Sequence, residues 1–184
     1  MKKCSLFLII LLSVSLLTGC VKLRSADELE KEASSKYGGT MVSSSSTKDE
    51  VKVEMQDEDY GFTYTIRSIE GRKQIYFDAS TTKPTERTYC DYYVCMFQYF
   101  DSQCADELDE ILEEMNASRK PNGEIWNEPY PYWKFTIKDK SQATSLARKC
   151  SKLVEKYDTK EKMKGHGEIA VYDENDRFIL GLRC

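Results

Sequence analysis

The chain is 184 residues long, 40% hydrophobic and 32% charged, with a net charge of −4. That is enough apolar material for one core and enough charge for a solvated surface. The acidic balance argues against nucleic acid or anionic lipid as a partner, since both call for basic patches.

Lys2 and Lys3 precede an unbroken apolar run from Leu6 to Leu12, extended by Val14, Leu16 and Leu17. A bilayer-spanning helix needs about 20 apolar residues, so this run is too short. It suits the apolar region of a secretory signal. It ends in Leu17-Thr18-Gly19-Cys20, which resembles the bacterial lipobox. The resemblance implies a diacylglyceryl group on the Cys20 thiol and cleavage just before it. Residues 1–19 are then a lipoprotein signal peptide, 20–25 a lipidated cysteine with a short tether, and 26–184 a single domain. Two acyl chains anchor stably where one holds marginally, at about 0.8 kcal/mol per buried methylene. The implied place is the outer face of a Gram-positive cytoplasmic membrane, held by lipid alone.

Ser25-Ala26-Asp27-Glu28 has the form of a capping box. It predicts a helix from Ala26 to about Lys36, with Leu29, Ala33 and Tyr37 on one side and Gly38-Gly39 as its stop. Only Val21 to Arg24 separate the lipid from this helix, a reach of roughly 15–20 Å at full extension. Ser43 to Thr47 reads as a loop, with Thr40 to Ser44 as a possible strand. Val51, Val53 and Met55 alternate, as do Phe62, Tyr64 and Ile66, and then Ile75 and Phe77. Turns at Asp57-Glu58-Asp59 and Glu70-Gly71-Arg72 make this an antiparallel meander.

A polar break, Thr81 to Arg87, precedes a long helix predicted from about Thr88 to Asn116. Its apolar stripe gathers Cys90, Tyr93, Phe97, Phe100, Leu108, Ile111 and Met115 within about 40° of Cys104. Trp133, Phe135 and Ile137 alternate as a further strand. Asp139 to Gln142 opens a helix whose Ala143, Leu146, Ala147, Cys150, Leu153, Val154 and Tyr157 share a face. Ile169 and Val171, then Phe178, Leu180 and Leu182, flank the turn Asp173-Glu174-Asn175-Asp176 as a closing hairpin. The fold class is α+β. One mostly antiparallel sheet of about five to six strands, with two or three helices packed on one face, is the economical arrangement.

After Cys4 and Cys20 are set aside, five of the seven cysteines remain: Cys90, Cys95, Cys104, Cys150 and Cys184. An odd number cannot all pair within one chain. With no C-x-x-C and a single histidine, His166, no metal site is expected. The segments Lys36-Tyr37-Gly38, Val51 to Met55 and Tyr60 to Ile66 loosely resemble small exported proteins of clostridial-type Gram-positive bacteria. That resemblance covers roughly residues 26 to 70 and implies no activity.

Three places are candidates for function. Tyr92, Cys95 and Tyr99 lie opposite the apolar stripe of the long helix, as a partner surface or under a covering loop. Trp126, Tyr130, Tyr132 and Trp133 gather around Asn127-Glu128-Pro129, as a sugar- or peptide-binding cluster or as loop anchors. Asp106, Glu107, Asp109, Glu110, Glu113 and Glu114 crowd acid toward a helix C-terminus. The macrodipole disfavours that, and a basic partner, or Lys149 or Lys152, would offset it. Cys184 and His166 have no third group to orient them as nucleophile and base, and no catalytic motif occurs. The expectation is a non-catalytic binding or assembly module, without cofactor, that contacts the membrane through its lipid and another envelope protein through its surface. The alternative is an immunity-type inhibitor that blocks a basic toxin at the membrane.

Overall fold

The computed structural model describes residues 21–72, 84–120 and 132–183, apart from the side chains of 71, 72, 84, 85 and 132. The described residues form an α+β structure of four α-helices and two four-stranded sheets. They fall into two compact units. One holds the chain up to Glu58 together with Thr65–Cys90; the other holds Asp59–Tyr64 and the chain from Asp91 onward.

The first unit opens with helix α1, Ala26–Tyr37. The capping box is present: Glu28 N donates to Ser25 Oγ, and Ser25 N donates to the Glu28 carboxylate. Bonding to Ser25 holds that carboxyl below its ordinary pKa. Leu29 and Ala33 are fully buried, as their spacing predicts. Gly38 and Gly39 end the helix at φ 84° and 101°. A Cβ on Gly39 would stand 2.3 Å from the Gln56 carbonyl oxygen, so both conformation and space demand glycine there. Four strands follow in spatial order: β1 (Thr40–Ser46), β2 (Glu50–Gln56), β3 (Thr63–Arg72) and β4 (Pro84–Cys90). The β1–β2 and β3–β4 pairs are antiparallel. Strand β2 shows the predicted alternation, with Val51, Val53 and Met55 inward. Each such burial contributes roughly 1.5–3 kcal/mol.

The second unit contains α2 (Tyr92–Gln103), α3 (Ala105–Glu114), β5 (Ala117–Arg119), β6 (Tyr132–Ile137), α4 (Ala143–Tyr157), β7 (Glu168–Asp173) and β8 (Phe178–Arg183). Its sheet runs β5-β6-β7-β8. Strands β6 and β7 are parallel, joined through α4, and the outer pairs are antiparallel. In β7, Ile169, Ala170 and Val171 are consecutive and all buried, so this strand is covered on both faces. Trp133, Phe135 and Ile137 of β6 lie inward as predicted. So do Ala143, Leu146, Ala147, Cys150, Leu153 and Val154 of α4.

The structure corrects several expectations. Two sheets replace one, because the helices after β4 interrupt the meander and pairing starts anew at Ala117. Period-two patterning marks strands without saying which of them pair. The turn expected at Glu70-Gly71-Arg72 is the end of β3, whose register with β4 runs to Arg72↔Pro84. Residues 84–90, read as a break and a helix start, are an edge strand, where a leading proline is tolerated. The long helix divides at Cys104 (φ −109°, ψ 14°). Just before the break, Ser102 Oγ donates to the Tyr99 carbonyl at 2.7 Å, a local bond that competes with the helical ladder. The inward residues shift accordingly: Tyr92, Met96 and Leu112 are buried, while Tyr93 and Ile111 are only half-buried. The strand expected at Ile75 and Phe77 lies outside the described residues.

Candidate functional site

The exposed edge of the first sheet is the site that the fold leaves open. Every residue of β1, Thr-Met-Val-Ser-Ser-Ser-Ser, is exposed, including Met41 at 37% and Val42 at 56%. Among the described residues the strand has one hydrogen-bonded neighbour, β2. Thr47 N–H donates across the turn to the Glu50 carbonyl at 2.7 Å, so the backbone of Thr47 faces inward. Antiparallel ladders alternate, and Ser46↔Val51 and Ser44↔Val53 are therefore pairs whose β1 backbone groups face outward. An open row of donors and acceptors is a template for another strand, and proteins commonly blunt such edges with charge, proline or bulges. The other edge, β4, carries Pro84, Glu86 and Arg87. Strand β1 carries no charge and no proline, and its one irregularity is the bulge between Met41 and Ser43. Ser43 Oγ donates to the Glu54 carboxylate at 2.9 Å, which places one β1 hydroxyl against β2.

The N-terminal segment is tied to the same unit. Arg24 N donates to Ser68 Oγ at 3.2 Å, and its guanidinium reaches the Glu28 carbonyl and Thr88 Oγ1 and pairs with Glu32. Buried Ser68 donates in turn to Glu86 at 2.7 Å. Sequence reading missed this anchor, because Ser68, Glu86 and Thr88 come together only through the β3–β4 register.

The aromatic surface predicted on the long helix is a packed cluster instead. Tyr92 is 2% exposed, with its ring 4.9 Å from that of Tyr64 and 5.4 Å from that of Phe62. Tyr99 is half-buried and packs on Tyr60, Phe62 and Phe100. Tyr92 is thus core rather than partner surface, with Phe62 and Tyr64 packed against it; the 130–132 segment considered as its cover lies outside the described residues, apart from the backbone of Tyr132. Tyr60 donates its hydroxyl to Asp158 Oδ1 at 2.8 Å, and burial together with that carboxylate pushes its pKa up to about 12. Trp126 and Tyr130 lie outside the described residues, as does the side chain of Tyr132. Trp133 is buried, and its indole N–H donates to Asp101 Oδ1 at 2.7 Å, where Arg119 also binds. Cys20, the expected lipidation site, also lies outside the described residues.

The acidic run finds bases on α4. Lys149 pairs with Glu114 and Lys156 with Glu107, both at 2.6 Å. Lys156, then the Tyr157 hydroxyl, hold the Glu107 carboxyl below its ordinary value. The break at Cys104 also turns Asp106 and Glu107 into first-turn residues of α3, where the helix dipole favours acid. Cys90, Cys95, Cys104 and Cys150 are thiols. Burial, and then Asp101, push the Cys104 thiol up to about 11, which keeps it protonated and unreactive. His166 stacks on Tyr93 at 3.9 Å, with Nε2 3.0 Å from the phenol oxygen. Cys184, its imagined nucleophile, lies outside the described residues. Among the described residues no cluster of three or more His, Cys, Asp or Glu is placed to hold a metal. No described helix is long and apolar enough to cross a membrane.

Comparison with protein-family models, curated proteins and solved structures finds no match to this chain.

Proposed function

We propose that the protein is a lipid-anchored module on the outer face of the cytoplasmic membrane. It works without catalysis, by accepting an extended segment of another envelope protein along β1. The observation that carries this reading is the uncharged edge strand, every residue of which is exposed. Strand addition takes its affinity from main-chain hydrogen bonds and its specificity from alternate side chains. The seam that β1 offers is uncharged, which favours a polar or β-branched uncharged strand over a basic one. Proximity to the membrane fits the same picture. With Arg24 fixed on the first unit, only three residues, Val21 to Leu23, separate Cys20 from the fold, roughly 10 Å of chain.

A photo-crosslinking side chain at position 46 of the full chain, expressed in cells that make the protein, tests the docking edge. A discrete adduct with an envelope protein is the expected result. Ser44→Pro removes an outward N–H without touching the β1–β2 ladder, and should abolish the adduct. No adduct, or one indifferent to Ser44→Pro, overturns the docking edge. Separately, Cys20→Ala should release the chain from the membrane fraction and end incorporation of labelled fatty acid. Retention of the label would remove the anchor from the proposal.

A further inference from the structure

Helix α4 is basic within an acidic protein. It carries Arg148, Lys149, Lys152 and Lys156 against one acid, Glu155. Two of these cations are neutralised by α3, through Glu114 and Glu107. Arg148 and Lys152 make no ion pair among the described residues, although the chain has 31 acidic residues to draw on. They stand four residues apart on the exposed face, where like charges repel. Thr144 and Ser145 lie on the same face one turn earlier, and both are exposed. Together with Ser141 and Lys149 these residues line an open depression of about 520 Å³. Ser141 donates its hydroxyl to Asp139, which leaves Thr144 and Ser145 as the hydroxyl donors of the groove. No carboxylate lines it. The hydroxyls sit in the first turn of α4, where the helix dipole adds attraction for negative charge.

We propose that this groove binds a phosphate group. A guanidinium fork, an ammonium and two hydroxyls line one open depression with no acid among the lining residues, and that donor set suits an oxyanion with several acceptor oxygens. Thr144 to Lys152 spans about 12 Å of helix, long enough for a phosphodiester as well as a free phosphate. The net charge of the chain speaks against anionic partners for the surface as a whole. It does not govern a local groove whose lining residues carry no carboxylate. The proposal is independent of the β1 reading, since it rests on a different unit and a different chemistry.

The test uses the full chain in a non-ionic detergent at about 0.15 M salt, where exposed charges are screened beyond roughly 8 Å. Two probes are titrated by calorimetry: inorganic phosphate, and micelles doped with phosphatidylglycerol. Binding of either is expected. Phosphate alone identifies a soluble phosphate site, and phosphatidylglycerol alone a headgroup site. The double variant Arg148→Gln/Lys152→Gln should weaken binding at least tenfold while its thermal unfolding without probe stays unchanged. Lys31→Gln, on the exposed side of α1, removes a cation elsewhere and should leave binding intact. If neither probe binds, if the double variant binds like the parent, or if Lys31→Gln weakens binding equally, the proposal fails.

Discussion

Strands β1 and β7 are nearly equal in length and opposite in setting. All seven residues of β1 are exposed, whereas four of the six in β7 are buried. Strand β7 lies between β6 and β8, with α4 packed nearby, while β1 has one strand partner among the described residues. Their compositions follow from this. Ile169, Ala170 and Val171 form a continuous apolar run suited to a strand covered twice, and Ser43 to Ser46 form a polar run that no core requires. Stability is concentrated in the doubly covered strand, and among the described residues the outer backbone of β1 has no strand partner. A serine run could be read as a mere linker. In this fold it is a strand whose outer edge pairs with no other strand among the described residues.

The largest effect should come from Phe135→Ala in β6, beside β7. This ring is 1% exposed, and its loss should cost about 3–5 kcal/mol in urea unfolding. A value near zero would mean that the second sheet is not the packed region described. Next, Ala170→Leu adds volume to a position on β7 that is 4% exposed, and should destabilise by about 1–3 kcal/mol. Gly39→Ala, at the entry to β1, should lose more than about 1 kcal/mol. The φ of 101° and the contact with the Gln56 carbonyl leave a methyl group no place.

A pH titration sharpens the contrast at the end of β7. Lys140 Nζ lies 2.6 Å from Asp173 Oδ2, while Oδ1 accepts from Asn175 N and Arg177 N. The lysine, and then these amides, hold the carboxyl down at about 2. An unfolded aspartate titrates near 3.9, so the folded group is the stronger acid. Its stabilising contribution is therefore complete above about pH 4 and is lost as pH falls through about 2. The difference in stability between the parent and Asp173→Asn should be full at neutral pH and shrink across that window. A constant difference would deny the pairing. The smallest effect belongs to β1: Val42→Ala should change unfolding by no more than about 0.5 kcal/mol.

Much of the local structure was legible. The capping box of α1, its glycine stop, the alternation of β2 and β6 and the inward face of α4 each depend on residues within a few positions of one another, and all appear as read. Of the two bases read as an offset for the acidic run, Lys149 pairs with Glu114 and Lys152 makes no ion pair among the described residues, while Lys156, which pairs with Glu107, was not foreseen. The division of the long helix was not. Neither glycine nor proline marks it, and the Ser102 back-bond is a weak signal in a sequence. Once the helix divides, Tyr92 changes sides, so a predicted surface residue becomes a core residue.

Periodicity, caps and turn residues act over short range, so the amino-acid sequence alone carried the α+β class and many of the helix and strand positions. Long-range contacts alone set the two sheets of the described residues, the edge position of β1 among them, and the groove that Arg148 and Lys152 share without an acid among its lining residues. Those facts depend on which distant segments meet, and hydrogen bonding between strands is nearly blind to the side chains that would name the partner.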